Sequence, residues 1–156
     1  MLDLPLLLPV ERRPAAHVID GIAIARGIVD TASYIIKRRS PAIGAKLAAI
    51  PPSMVCVSVM TRAELQYGLK HLPAGHRLHI GVRQFLKIVR VLSWDAEAAD
   101  CYADIRHQLV TTGQAIGEMD MMIAAHSLAA RAVLVTNNER HYKRIAGLVM
   151  ANWAER

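Results

Sequence analysis

Short apolar runs alternate with helical patterns along most of this chain. The runs lie at residues 22–29, 54–60, 89–94, 132–136 and 148–152. Between them, apolar spacing, capping residues and turn residues predict helices over residues 31–39, 41–50, 61–71, 78–89, 95–111 and 118–130, and a short helix over residues 139–145. Continuous apolar runs are typical of strands buried on both faces. Strands alternating with helices predict an α/β fold, a three-layer α/β/α sandwich with a central parallel sheet.

The chain divides into a short extension and one domain. Residues 1–20 show no periodicity and contain Pro5, Pro9 and Pro14, so we predict an N-terminal extension there and a single domain over residues 21–156. With 53% apolar residues, that length suffices for one core. No apolar run approaches the ~20 residues that span a bilayer, and the start lacks a basic segment. We therefore expect a cytoplasmic protein without a membrane partner, whose Cys56 and Cys101 are reduced thiols.

Net charge adds a hint about partners. The formal charge of +6 favours polyanions such as nucleic acid, or an acidic protein, although solubility alone explains it equally well. Within this basic chain, several acidic residues recur where elements begin or end. A cation would hold such residues together.

Four polar residues follow the apolar runs in a way that predicts a common site. Asp30 comes directly after the first run, Glu64 lies one helical turn after the second, and Asn138 follows the fourth. Asp120 lies in the first turn of the apolar helix before that fourth run. Because parallel strands end at one edge of the sheet, we expect these side chains to converge there. Grouped carboxylates repel one another, and a hard divalent cation such as Mg²⁺ or Mn²⁺ removes that repulsion.

Each of these residues also has a simpler explanation. Thr61 and Glu64 form a capping box, and Asp120 suits a helix N-terminus electrostatically. Asp30 could be a turn residue or a cap. None of the single explanations predicts the joint placement, which favours the metal site. His126, on the apolar helix, is expected to be a core histidine and not a ligand.

The same residues lie in segments that resemble PIN-domain nucleases, specifically VapC-type toxins of toxin–antitoxin pairs. Order and spacing agree from about residue 27 to residue 153. The matching segments are Ile28-Val29-Asp30-Thr31, Ser58-Val59-Met60-Thr61-Arg62-Ala63-Glu64-Leu65-Gln66-Tyr67-Gly68, Ile116-Gly117-Glu118-Met119-Asp120-Met121-Met122-Ile123-Ala124-Ala125-His126, Leu134-Val135-Thr136-Asn137-Asn138 and Asn152-Trp153.

The resemblance implies a set of site residues and partners. Asp30, Glu64 and Asp120 would be the acidic residues, with Asp30 and Asp120 as direct Mg²⁺ ligands. The family's fourth site position falls on Asn138, where other members often carry Asp. The resemblance also implies an RNA substrate, a homodimer and a small cognate antitoxin that covers the acidic pocket.

Three functional hypotheses follow. The leading one is a toxin that hydrolyses RNA phosphodiesters, often in tRNA, with a metal-activated water. Ala32 stands where the family usually has Asn, and Met119 where it often has Asn or Tyr. Together with Asn138, Ala32 motivates the alternative, a catalytically weak PIN-like protein that binds RNA or its antitoxin. A phosphoacceptor receiver-type domain ranks last, because Asp20 lies too far upstream to complete its acidic pair.

Overall fold

The computed structural model describes residues 41–153 and the backbone of three short segments before them, His17–Ile19, Ile22–Ile24 and Gly27–Val29. Side chains are described from Ile43 to Trp153. Asp30, Ala32 and the helix predicted over residues 31–39 lie outside the described residues. The predicted boundary between an extension and a domain at residue 20 stays a prediction.

The described strands form two sheets. A small antiparallel pair joins β1 (His17–Ile19) and β2 (Ile22–Ile24). The main sheet is parallel throughout and has the strand order β5-β4-β3-β6-β7. Its strands are β3 (Gly27–Val29), β4 (Val55–Ser58), β5 (Arg90–Leu92), β6 (Val133–Val135) and β7 (Met150–Ala151).

Helices connect the strands of the main sheet. In chain order the described helices are α1 (Pro41–Ala49), α2 (Val59–Lys70), α3 (Leu78–Ile88), α4 (Ala96–Thr111), α5 (Glu118–Ala129) and the single turn α6 (Glu139–Tyr142). A 3-10 turn at Pro52–Met54 precedes β4. Asp95 caps α4, since its Oδ1 accepts a hydrogen bond of 2.9 Å from the backbone of Ala98. In the described part of the chain, no helix combines the length and apolarity needed to cross a membrane.

Helices cover both faces of the main sheet. Because successive strand residues point to opposite faces, Cys56 and Leu134 face one layer, while Val57 and Val135 face the other. The first layer is built from α4 and α5, and the second from α1 and α3. The predicted α/β/α sandwich is therefore confirmed. Cys56 and Cys101 are not joined in a disulfide, as expected.

Two predicted strands were wrong in their extent. Residues 22–29 do not form one strand, because β2 and β3 belong to different sheets. The strand predicted over residues 54–60 ends at Ser58, and α2 begins at Val59. Ser58 is the N-cap, since its Oγ accepts a hydrogen bond of 3.1 Å from the backbone of Met60. The predicted capping box at Thr61 therefore does not start the helix, and Thr61 is buried in its first turn.

Candidate active site

Asp120 lies at the edge of the sheet where the parallel strands end. It belongs to the first turn of α5, which leads into β6 and therefore runs antiparallel to that strand. Its side chain is 23% exposed. The positive end of the helix dipole stabilises a carboxylate at this position. Asp120 is thus a charged, partly accessible group at the predicted edge.

Both carboxylate oxygens of Asp120 contact residues of α6. The Oδ2 atom lies 2.7 Å from Nδ1 of His141, and Oδ1 accepts a hydrogen bond of 3.2 Å from the hydroxyl of Tyr142. Tyr142 is fully buried, whereas the His141 side chain is 46% exposed. These contacts fix the orientation of the Asp120 carboxylate from two sides.

Asn138 reaches the same imidazole from the end of β6. Its Nδ2 lies 2.8 Å from Nδ1 of His141. Its backbone N–H donates a hydrogen bond of 3.0 Å to Oγ1 of Thr136, which holds the turn after the strand. The structure therefore brings Asp120 and Asn138 to one atom, although they are far apart in the sequence.

The structure says less about the other two predicted acids, Glu64 and Asp30. Glu64 is exposed in the second turn of α2, the helix that follows β4 directly at the same edge of the sheet. Asp30 follows β3 in the chain but lies outside the described residues. Among the side chains that are described, no three His, Cys, Asp or Glu residues come close enough to hold a cation. The four-residue site stays a prediction.

Sequence reasoning missed His141 and Tyr142. His141 is three residues after Asn138, a spacing that puts both on one face of a helical turn. A four-residue helix is too short to show an apolar period, so the sequence carried no other signal. Tyr142 is the largest fully buried side chain among those that the structure describes, and its hydroxyl nevertheless reaches Asp120.

An exposed polar cluster of Tyr102, Arg106 and Glu118 flanks the start of α5. The Tyr102 hydroxyl donates a hydrogen bond to Oε1 of Glu118, and Nη1 of Arg106 lies 3.0 Å from the same oxygen. The hydrogen bond to Glu118 raises the pKa of Tyr102 above its ordinary range. Arg106 also lies 5.9 Å from the centre of the Tyr102 ring. Arg106 of α4 is thus paired with Glu118, which lies two residues before Asp120 in α5.

His126 is a core histidine, as predicted. It is 3% exposed, and its Nδ1 lies 2.9 Å from Oγ of Ser58. Its ring packs edge-on against Trp94, with 5.8 Å between centroids. Burial lowers the pKa of His126, against a weaker opposing attraction from Asp95. His126 therefore lies in the core as a neutral ring.

Comparison with protein families decides the assignment. Residues 28–148 match the model of the PIN domain. This chain belongs to the PIN-domain family. That assignment confirms the resemblance and excludes the receiver-type alternative. The matched segment of this PIN domain contains all four predicted site residues.

Curated relatives of this PIN domain are VapC proteins. It is 34% identical over 120 residues to ribonuclease VapC2 of Haemophilus influenzae, which covers 77% of this chain and 90% of that protein. It is 37% identical over 101 residues to the tRNA(fMet)-specific endonuclease VapC of Salmonella typhimurium, covering 65% of this chain and 76% of that one.

Solved structures agree with this PIN fold. A DNA-bound VapBC from Salmonella typhimurium matches with a TM-score of 0.77 and 31% identity, over 82% of this chain and 98% of that one. VapBC2 from Rickettsia felis, bound to a DNA fragment from its promoter, matches with a TM-score of 0.75 and 27% identity, over 81% and 98% of the two chains.

Proposed function

We propose that this PIN domain is a Mg²⁺-dependent endoribonuclease, the toxin of a toxin–antitoxin pair, and that it hydrolyses phosphodiesters in RNA, with tRNA as the favoured class. The observation that supports this most is the meeting of Asp120 and Asn138 at the carboxyl edge of the sheet. Relatives named as a ribonuclease and a tRNA endonuclease support the substrate class. Mn²⁺ is the expected substitute for Mg²⁺.

The donor chemistry at Asp120 fits a hard cation. Its carboxylate is partly exposed, and an amide group stands beside it. Carboxylate and amide oxygens are ligands that Mg²⁺ accepts. In this proposal Asp120 and Asp30 hold the ion directly. A bound ion supplies acidification of a water and neutralisation of phosphate charge.

The chain's own residues have separate roles in this proposal. Tyr142 holds the Asp120 carboxylate in place through its hydroxyl. Glu64 would orient the attacking water or a second ion. Asn138 would offer an uncharged oxygen, where a charged one would add repulsion against the RNA phosphate. Arg106, exposed beside the start of α5, contacts a neighbouring phosphate of the RNA.

The partners follow from the relatives. The two solved structures named above are VapBC assemblies, so we propose that this chain binds a cognate antitoxin that covers the Asp120 pocket. We also propose a homodimer, which the resemblance to VapC-type toxins implies. Co-expression with the product of a neighbouring antitoxin-sized gene tests this. The two proteins should co-purify, and RNA cleavage should be suppressed in the complex.

Asn138 supports a second candidate, a protein that binds RNA or antitoxin and cleaves weakly. An amide beside Asp120 leaves the described part of the site with one negative charge fewer than a carboxylate would give. Growth inhibition without cut RNA after induction would favour this candidate. Mapped RNA ends that appear within minutes of induction would favour the nuclease.

The decisive experiment compares RNA cleavage by wild type, Asp30→Asn and Asp120→Asn in Mg²⁺. Each substitution keeps the shape of the side chain and removes the charge that holds the ion, so cleavage should fall at least ~100-fold. Asp104→Asn, on the exposed surface of α4, is the matched control and should retain wild-type activity. Equal activity of all four proteins would overturn the proposal.

A further inference from the structure

Two polar side chains, those of Asp120 and Asn138, meet at the Nδ1 atom of His141. Oδ2 of Asp120 lies 2.7 Å from it and the side-chain amide of Asn138 lies 2.8 Å from it. A ring nitrogen carries either one proton or one lone pair, so it cannot donate to Asp120 and accept from Asn138 at once. Rotating the Asn138 side-chain amide by a half-turn resolves this conflict, because its oxygen then faces Nδ1 of His141. The meeting point is then surrounded by a carboxylate oxygen, an amide oxygen and an imidazole nitrogen.

These separations are close to those between ligands of one metal ion. Two donors that bind a cation at about 2.1 Å and at a right angle are about 3 Å apart. The 2.7 Å and 2.8 Å distances differ from that value by a few tenths of an ångström. Small side-chain rotations therefore suffice to admit a cation in place of the shared proton.

The neighbours of His141 keep it within reach of the metal. Tyr142, the next residue, is fully buried and its hydroxyl contacts the other oxygen of Asp120. This anchors α6 against the start of α5. The imidazole itself is 46% exposed, so an ion can approach it from solvent.

We propose that His141 is a further ligand of the metal, binding through Nδ1 beside Asp120 and Asn138. Imidazole nitrogen suits first-row transition ions, whereas Mg²⁺ prefers oxygen and retains its waters. His141 therefore shifts the preference of this site from Mg²⁺ towards transition ions. This inference rests on the proposed function, because it assumes that Asp120 holds a metal.

Calorimetric titration of the full-length protein with Co²⁺ and with Mg²⁺ tests the inference without measuring activity. His141→Ala should weaken Co²⁺ binding about tenfold or more and change Mg²⁺ binding less than about twofold. His141→Asn places an amide at the level of Nδ1 and should also weaken Co²⁺ binding. His107→Ala, which removes an exposed histidine of α4, is the matched control and should bind both ions as wild type does.

Whether His141→Ala weakens or tightens Co²⁺ binding separates the possible roles of the ring. Unchanged or tighter Co²⁺ binding by His141→Ala would overturn the inference, and tighter binding would identify the ring as a proton donor that the metal displaces. If Asp120→Asn weakens the binding of both ions while His141→Ala weakens the binding of neither, the inference fails and the proposed metal site survives. If Asp120→Asn changes the binding of neither ion, the proposed metal site fails as well.

A spectroscopic signal gives an independent check. Pulsed electron paramagnetic resonance of the Mn²⁺-loaded protein should show coupling to a directly bound nitrogen, and His141→Ala should remove it. Absence of nitrogen coupling in the wild-type protein would overturn the inference.

Discussion

His126 and His141 carry the same ring in opposite surroundings. His126 of α5 is 3% exposed and contacts the Ser58 hydroxyl in the core. The His141 side chain of α6 is 46% exposed and meets Asp120 and Asn138. Burial keeps the first ring neutral and makes it part of the fold, whereas exposure beside polar donors suits the second for binding. The surroundings of each histidine, and not its residue type, therefore decide what the ring can do.

The buried contact between Ser58 and His126 also joins the two helices that carry Glu64 and Asp120. Ser58 is the N-cap of α2, and its Oγ accepts from the backbone of Met60 while facing His126. This contact joins α2, which carries Glu64, to α5, which carries Asp120. Stability and site geometry are therefore linked through one hydrogen bond. Substitutions at the two histidines should separate these contributions.

The largest expected effect on stability is that of His126→Ala. The substitution leaves a cavity in the core and deprives the Ser58 hydroxyl of its partner, so the free energy of unfolding should fall by about 3 kcal/mol. Urea denaturation measures this. A loss below ~1 kcal/mol would show that the ring is not part of the packed core.

Ser58→Ala should have the next largest effect. It removes the cap of α2 and leaves a ring nitrogen of His126 unpaired, which together should cost about 2 kcal/mol. Ser53→Ala, at an exposed position before β4, is the control for urea denaturation. Equal stability of the two variants would contradict the linking role of Ser58.

Acid should destabilise the protein through His126 by a smaller amount. Burial lowers the pKa of His126 in the folded state, while the unfolded chain binds a proton near pH 6.5. The unfolded state then holds more protons, so the free energy of unfolding should fall as the pH drops below about 6.5. Denaturation midpoints between about pH 7 and 5 should fall less steeply in His126→Asn. The same slope in both proteins would refute this assignment.

His141→Ala should have the smallest effect on stability, below ~0.5 kcal/mol, because the ring is half exposed. A melting temperature within about 2 °C of wild type would agree with this. A loss as large as that of His126→Ala would remove the distinction between the two histidines.

The sequence predicted the fold well because its signals are local. The apolar run at residues 132–136 contains β6, and the helix predicted over residues 95–111 is found as α4. The start of α2 was predicted two residues too late, since Ser58 and Thr61 can each cap a helix. Ser58 prevails, and its Oγ lies against His126, 68 residues further along the chain. Local reasoning cannot see a partner at that separation.

For the candidate site, the sequence predicted that Asp120 and Asn138 lie close together, but it missed the residues that contact them. Asp120 and Asn138 meet because parallel strands end at one edge, which topology alone predicts. His141 and Tyr142 lie in a single helical turn without periodicity, so their contacts with Asp120 depend on how α6 packs against α5. Asp30, the remaining predicted ligand, lies outside the described residues and stays a prediction.

Metal removal is the most direct test that carboxylate-bound metal carries the activity. Purified full-length protein should be incubated with RNA in Mg²⁺, in excess chelator, and in chelator followed by restored Mg²⁺. Cleavage by the wild type should stop in the chelator and return when Mg²⁺ is restored. The Asp120→Asn variant should not cleave RNA even after Mg²⁺ is restored. Cleavage by the wild type that persists in excess chelator would contradict the account.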